Sequence, residues 1–480
     1  FAIEKRWLDD LFPDSREPQA DIDWQKVAVA SAAMQTFAVI SGGPGTGKTT
    51  TVTKLLALLV QQAQAQGQTL NIKLTAPTGK AAARLTESIS RAKQSLTLDE
   101  SIKAAIPERA STLHRLLGAN FGRSEFKHNK QNPLHLDVLL VDEVSMVDLP
   151  MMAKLVDALP PRSRLILLGD KDQLASVEAG GVLADMTAGL EPIEFLPNWS
   201  QQLAQLVDTR LQKYVNPQAE WLRCHLTLLT KSYRFDDLSG IGQLAQAVNQ
   251  GKETLALKRL LQPTDQSVQW HRTESDTALN ISELAQGYES YWKAVRQSAT
   301  TEEVFQLFSR YQVLCAIRQG EMGVEAVNSA LEKNFYQRGF MLDTQAWYAG
   351  KAIMITRNDA SLNLFNGDIG LCLPDPQQPE RLRVWFQTSD ASYRGVLPSR
   401  LGDYESVYAM TVHKSQGSEF EQVVLIMPAT PNPVVTKELL YTGITRAKKS
   451  FALWGNELSV RAALRTRVIR FSGLQTKLWQ

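Results

Sequence analysis

The sequence predicts an α/β protein with two parallel-sheet regions and a small β-barrel inserted into the second. Three observations predict it. First, Ser41 to Thr50 reads SGGPGTGKTT, a complete phosphate-binding loop between an apolar run, Phe37 to Ile40, and a helical pattern, Thr51 to Gln62. Second, apolar strand-like runs alternate with helical patterns before and after the middle of the chain, the signature of parallel sheets with chemistry at their strand C-termini. Third, between about 345 and 402 the pattern changes to short strand-like runs with turn signals.

Length and composition bound the rest. The 480 residues exceed one compact core and suggest roughly two to four domains. With 44% apolar and 21% charged residues the composition is that of an ordinary globular protein. Lys plus Arg number 52 and Asp plus Glu 50, so any polyanion must be met by a local patch rather than by net charge. Cys224, Cys315 and Cys372 lie far apart with no C-x-x-C spacing, which indicates neither a zinc site nor a disulfide framework and fits a reducing cytoplasm. No apolar run approaches the ~20 residues that span a bilayer, and no membrane partner is expected. The chain opens on Phe1 rather than methionine, which suggests a segment upstream.

Taken in order, residues 1–22 are charged and Pro-punctuated and read as a linker or the tail of a preceding domain. The first α/β region, 23–198, has strand candidates at Phe37–Ile40, Asn71–Ala76, Asp137–Val141 and Arg164–Leu168. Gln61 to Gln68 reads as a helix end and exposed loop. The stretch from Phe121 to His135, with Arg123, Lys127, His128 and Lys130, is either a solvated face or a nucleic-acid contact. The second region, 199–344 and 403–480, has buried-strand candidates at Tyr311–Ile317, Gln422–Met427 and Phe451–Trp454. Residues 345–402 carry the inserted barrel, with short runs Ala352–Thr356, Ile369–Leu373, Arg383–Gln387 and Tyr393–Leu397.

The loop residues Gly43, Pro44, Gly45, Thr46, Gly47, Lys48, Thr49 and Thr50 point to ATP. Their backbone N–H groups close around phosphates, Lys48 reaches the β- and γ-phosphates, and the Thr49 hydroxyl ligates Mg²⁺. Asp142 and Glu143 directly follow the strand Leu139–Val141. Asp142 would hold the metal and Glu143 would orient and deprotonate the attacking water; an acidic helix start is the plainer alternative. After the next strand, Gln173 is placed to sense the γ-phosphate and Asp170 to couple that state onward, unless this is only a polar turn. Charge developing in phosphoryl transfer calls for cations from a separately moving element, and Arg234 and Arg446 are the candidates, with surface ion pairing as the alternative.

Together the motifs resemble the superfamily 1 helicases and, within them, the RecD-like 5′→3′ group. The resemblance rests on GGPGTGKTT (42–50), LTAPTGKAAARL (74–85), STLHRLLG (111–118), LLVDEVSM (139–146), LLGDKDQLASVEAGG (167–181), KSYRF (231–235), AMTVHKSQGSEF (409–420) and YTGITRAKK (441–449), in family order from Trp24 onward. It implies two RecA-like motor domains and an SH3-like barrel as the insert, with the nucleotide in the cleft between the motors. By position it assigns Gln25 to the adenine and Glu419 to the ribose. It places Pro77, Thr78, Thr112, His114, Thr411, His413 and Lys414 along single-stranded DNA. Sequence-independent binding also needs hydroxyls and cations on the backbone, which Thr78, Lys80, Arg84, Thr112 and His114 supply. The implied activity is ATP-driven 5′→3′ translocation and unwinding in double-strand-break repair and recombination. The implied setting is a RecBCD-type complex (exonuclease V) acting on single strands and duplex ends, with RecB- and RecC-type partners and an amino-terminal domain upstream. A stand-alone RecD-like helicase, or a nucleotide-dependent module that grips DNA without unwinding, are the alternatives. The carboxylates that the motifs place all serve the ATP site, and no second metal cluster is evident in the sequence, so nuclease activity would belong to a partner.

Overall fold

Six apolar runs in the first part of the chain pair into one sheet: β1 (Phe37–Gly42), β2 (Ile72–Ala76), β3 (Ala110–Thr112), β4 (Val138–Val141), β5 (Arg164–Gly169) and β6 (Leu226–Leu229). The order is β3-β2-β4-β5-β1-β6 and every pairing is parallel. Alternate residues face opposite sides. Ile40, Leu74, Leu140, Ile166 and Leu168 join one core, while Val39, Leu139, Val141, Leu165 and Leu167 join the other. A sheet buried on both faces reads as nearly continuous apolar strands, which is why four of these six were legible.

The computed structural model describes residues 3–13, 22–119, 125–175, 181–233, 239–273, 279–341, 346–359, 361–388, 392–468 and 473–479. They fall into two units, Phe1–Arg234 with Arg470–Gln480, and Phe235–Ile469.

Three boundaries differ from the sequence expectation. The segment 1–22, expected as a linker, contains helix α1 (Lys5–Leu11), and Leu8, Leu11 and Phe12 are buried in the first unit's core. Their spacing makes one short apolar face, which the surrounding charges masked. Asp9 of α1 pairs with Lys26 of α2 (Trp24–Met34) at 2.6 Å, and Lys26 is only 4% exposed. Asp9→Ala strands that ammonium, and the expected loss is about 2 kcal/mol of first-unit stability, below the fully buried case because Asp9 itself is partly solvated. Chemical denaturation followed by circular dichroism would measure it.

The first unit also runs past 198, because β6 pairs with β1 from Val39↔Leu226 to Gly42↔Leu229. A four-residue strand after irregular turns carries too little periodicity to show in sequence. Finally, the stretch 403–480 divides. Its last helix, Leu474–Leu478, leads into Trp479, whose Nε1 donates to Asp185 O at 2.9 Å within the first unit. A Cβ on Gly189 would lie 2.5 Å from that indole, so glycine is what makes room for it.

The second unit is built from β7 (Val268–His271), β8 (Tyr311–Cys315), β9 (Ala352–Ile355), β10 (Ile369–Asp375), β11 (Gln378–Gln387), β12 (Tyr393–Val396), β13 (Tyr404–Ser406), β14 (Ala409–Thr411), β15 (Phe420–Ile426) and β16 (Ala447–Trp454). Five of them form a parallel sheet, β14-β8-β15-β16-β7. The other five form an antiparallel sheet, β12-β11-β10-β9-β13, with its own core of Ile353, Ile355, Cys372, Val384, Phe386 and Val396. The insertion is therefore a five-stranded sheet whose last strand, β13, lies beyond the expected limit at 402. Tyr288, Tyr291, Trp292, Phe335 and Tyr408 pack at its root, and the Tyr291 and Tyr408 hydroxyls both donate to Gly350 O, at 2.8 and 2.6 Å.

Candidate active site

Because β1, β4 and β5 are parallel neighbours, the segments leaving their C-terminal ends line one edge of the first sheet. From β1 comes the phosphate loop. Gly45 and Gly47 both have φ of 77°, a left-handed backbone that only glycine adopts without strain. A Cβ on Gly47 would also meet Gln25 Nε2 at 2.3 Å. Gln25 opens α2, where Asp23 caps the helix by accepting from Gln25 N and Lys26 N, and its amide donates to Thr46 O at 3.0 Å. Lys48, first residue of helix α3 (Lys48–Ala65), donates to Gly42 O at 2.6 Å and Gly43 O at 3.1 Å. These are neutral acceptors that a phosphate oxygen would outcompete. The loop N–H groups and the α3 N-terminus supply the remainder of an anion cradle.

Asp142 follows β4. Its N–H donates to Thr75 O, and its Oδ1 accepts from Glu143 N at 2.8 Å. Glu143 has φ of 53°, an uncommon conformation for a non-glycine residue. Desolvation and then the neighbouring Glu143 push the Asp142 carboxyl above its ordinary value, against the opposing charges of Lys48 and Arg84. Asp170, after β5 and 2% exposed, is likewise raised by desolvation, with Lys48 opposing and Asp172 adding. One ammonium thus bears on both carboxyls, which places Lys48, Asp142 and Asp170 around one centre. Gln173 Nε2 donates to Asp170 Oδ2 at 3.0 Å, and its buried Oε1 has no partner among the described atoms. An orphaned acceptor there is a group waiting for a donor such as water. The all-oxygen set of the Thr49 hydroxyl and Asp142 carboxylate, crowded by a second carboxylate, suits a hard divalent cation such as Mg²⁺.

Arg84 adds to Lys48 in opposing the rise of the Asp142 carboxyl. Pro77 and Thr78 follow β2, and Thr112 ends the adjacent β3, paired with Ala76. Thr78 Oγ1 accepts from Ala81 N to cap helix α4 (Gly79–Ser95), which holds Lys80 in its first turn; Thr112 Oγ1 accepts from Arg115 N. Both hydroxyl protons remain to be donated, which is what a phosphate oxygen needs. His114 packs edge-on against Phe126 at 5.8 Å, and burial lowers its imidazole pKa, favouring the neutral form.

In the second unit, Thr411 ends β14, and His413 and Lys414 lie on the short turn His413–Ser415. Glu419 pairs with Lys448 at 3.4 Å. Arg446 is 2% exposed and donates to Thr442 O and Ser418 O, so its guanidinium is buried rather than at the surface. Arg234 lies outside the described residues, as do Arg123 and part of the Phe121–His135 stretch.

Residues 25–179 match the family model of an AAA domain, and residues 406–453 match that of a UvrD-like helicase C-terminal domain. The RecBCD enzyme subunit RecD of Haemophilus influenzae is 41% identical to this chain, over 97% of it and 73% of its own length. The chain belongs to the RecD family. The RecBCD enzyme subunit RecD of Mycobacterium tuberculosis is 38% identical over 95% of this chain and 73% of its own. The ATP-dependent RecD2 DNA helicase of Deinococcus radiodurans is 30% identical over 92% of this chain and 50% of its own. Among solved structures, the Bacteroides Pif1 helicase in complex with ADP-AlF3 and single-stranded DNA is similar at 14% identity with a TM-score of 0.46, covering 99% of this chain and 96% of that one.

In this RecD-family chain the structure adds a residue that the sequence reading passed over. Tyr233 N donates to Gly45 O at 2.7 Å, and Ser232 Oγ donates to Pro44 O at 3.2 Å, which fastens the segment after β6 to the phosphate loop. The Tyr233 ring is 63% exposed and lies under the Lys231 ammonium at 5.4 Å, and its phenol pKa is raised by burial and then by Asp23, two residues before Gln25. Its exposed ring stands on a segment fastened to the phosphate loop. The signal was present in KSYRF, an aromatic next to an arginine, but its neighbour across the chain was not.

Proposed function

We propose that this RecD-family chain is an ATP-dependent DNA helicase: a 5′→3′ single-strand translocase that works with RecB- and RecC-type subunits on duplex ends, in cytoplasmic double-strand-break repair. The observation that carries it is the convergence of Lys48, Asp142 and Asp170 at the edge of the first sheet, with Glu143 and Gln173 beside them. The two parallel-sheet units are then RecA-like motors, and the antiparallel insertion is an SH3-like barrel.

Thr49 and Asp142 would hold Mg²⁺, which would supply charge neutralisation at the transferred phosphoryl group. Lys48 exchanges its loop carbonyls for phosphate oxygens. Glu143 aligns the attacking water and takes its proton, while Gln173 presents its unpaired Oε1 to that water or to the group it leaves behind. Gln25 reads the adenine edge, Tyr233 stacks on its face, and Glu419 meets the ribose. Arg234 and Arg446 are the cations for developing charge. Pro77, Thr78, Lys80, Arg84, Thr112 and His114 in the first unit, and Thr411, His413 and Lys414 in the second, follow the DNA backbone.

The test is the ATPase rate with and without single-stranded DNA, followed by unwinding of duplexes tailed at either end. Strong stimulation with activity on 5′-tailed duplexes is expected; hydrolysis indifferent to DNA in the complex with RecB- and RecC-type subunits would overturn it. Glu143→Gln keeps the side chain's shape and removes the base. It should lower the turnover rate about 10²–10⁴-fold and leave nucleotide binding within a few-fold, as read by single-turnover hydrolysis against fluorescent-nucleotide titration.

A further inference from the structure

We propose that Asn366, on the connection between β9 and β10 of the inserted sheet, is a positioning residue that holds the Lys414 ammonium in place for a DNA backbone phosphate. This rests on the reading of Lys414 as a DNA contact and deepens it, because it makes the insertion part of the grip.

Lys414 is held at both ends. Its backbone N–H donates to Thr411 Oγ1 at 3.3 Å, and its Nζ donates to Asn366 Oδ1 at 2.7 Å. A free lysine head on a four-carbon stem loses rotamer freedom when a ligand fixes it, and a partner that fixes it beforehand removes part of that loss. The partner here is a neutral amide. It orients the ammonium without cancelling its charge, as a carboxylate would, and leaves two of its three protons for an anion.

Asn366 is itself held in place. Its backbone N–H donates to Asn358 Oδ1 at 2.8 Å, Gly367 N donates to Ile355 O, and Phe365 N donates to Asp368 Oδ2. Asp359 and Leu364 exchange both backbone hydrogen bonds across the base of the connection. At its tip Gly367 has φ of 97°, open only to glycine. The nearby carboxylate, Asp368, is thus spent on the loop's own backbone, and it is the asparagine amide that reaches Lys414.

Lys414 lines a cavity of about 550 Å³ with Arg318, Thr356, Arg357, Asp403, Tyr404 and Glu405. Arg318 pairs with Glu405 at 2.9 Å. The wall carries three cations, Arg318, Arg357 and Lys414, against two carboxylates, Asp403 and Glu405, and so has a net positive charge. Desolvation lowers the Lys414 pKa, with Glu405 opposing and Arg318 adding, so the head sits in a partly dry place where an anion is attracted strongly.

The experiment measures the single-stranded DNA concentration for half-maximal ATPase, and kcat at saturation, for Lys414→Ala, Asn366→Ala, Asn366→Asp and the double alanine variant of the full chain, with thermal melts as the control for folding. Lys414→Ala should raise the half-saturating concentration about 5–10-fold and flatten its dependence on log salt by roughly 0.7. Asn366→Ala should raise it about 3-fold and add nothing in the Lys414→Ala background, since the two act as one unit. Asn366→Asp, of equal size, should weaken binding at least as much by pairing off the charge. If Lys414→Ala weakens DNA binding and Asn366→Ala does not, or the two effects add, the positioning role is overturned while the DNA contact stands. If Lys414→Ala itself changes nothing, the DNA-contact reading falls and the proposal with it.

Discussion

Lys48→Gln is expected to abolish DNA-stimulated ATP hydrolysis, by about 10³-fold or more, with the melting temperature of the protein nearly unchanged. The ammonium reaches Gly42 O and Gly43 O, two carbonyls of its own loop, and is the nearest opposing charge to both Asp142 and Asp170. Glutamine keeps the stem and a donor for those carbonyls, so the loop retains its shape. It brings no positive charge to phosphate oxygens whose negative charge grows in the transition state, nor to two desolvated carboxyls that it must offset there. The comparison is made at saturating DNA, with circular dichroism on the same samples. Hydrolysis that survives the substitution would remove the nucleotide site from the phosphate loop altogether.

Trp292→Ala is the largest expected loss of stability, about 3–5 kcal/mol in the second unit. Trp292 is fully buried and packs against the rings of Tyr291, Phe335, Phe340, Tyr348 and Tyr408. It also fills the place a side chain at Gly350 would take, 2.3 Å from that residue's absent Cβ. Gly350 O is where the Tyr291 and Tyr408 hydroxyls converge, so the cavity opens at the root of the inserted sheet. The indole Nε1 has no partner among the described atoms. Trp292→Phe therefore gives up buried area but no hydrogen bond, and should cost less than half as much. Denaturant unfolding, followed separately for the two units, would show the loss confined to the second. Equal destabilisation by alanine and phenylalanine would show that packing at this site is not what counts.

How much of this was legible depended on how local each feature is. The phosphate loop, Asp142 with Glu143, and Asp170 with Gln173 each follow a strand directly, so sequence order alone set them at strand ends. The parallel sheet did the rest by putting those ends on one edge. The five-stranded insertion announced itself through its turns, Asn366-Gly367-Asp368 among them. Strands β3, β6, β7, β13 and β14 passed unread; each has only three or four residues, and so short a run carries little period of its own. Helix α1 hid among charges, and its burial depends on a core assembled from α2 and α3.

The sequence by itself determined the local pieces: a phosphate-binding loop, two adjacent carboxylates directly after a strand, and a chain of motifs that runs in the order of one helicase family. These are contiguous strings, and a contiguous string fixes its own backbone and nearest neighbours. Only the tertiary structure decided which strings meet. Arg84 bears on Asp142, Tyr233 is fastened to Gly45, Trp479 returns to Gly189, and Asn366 holds Lys414 across 48 residues of chain. Such contacts are set by how sheets and insertions pack, a property of the whole fold that no local window of residues encodes.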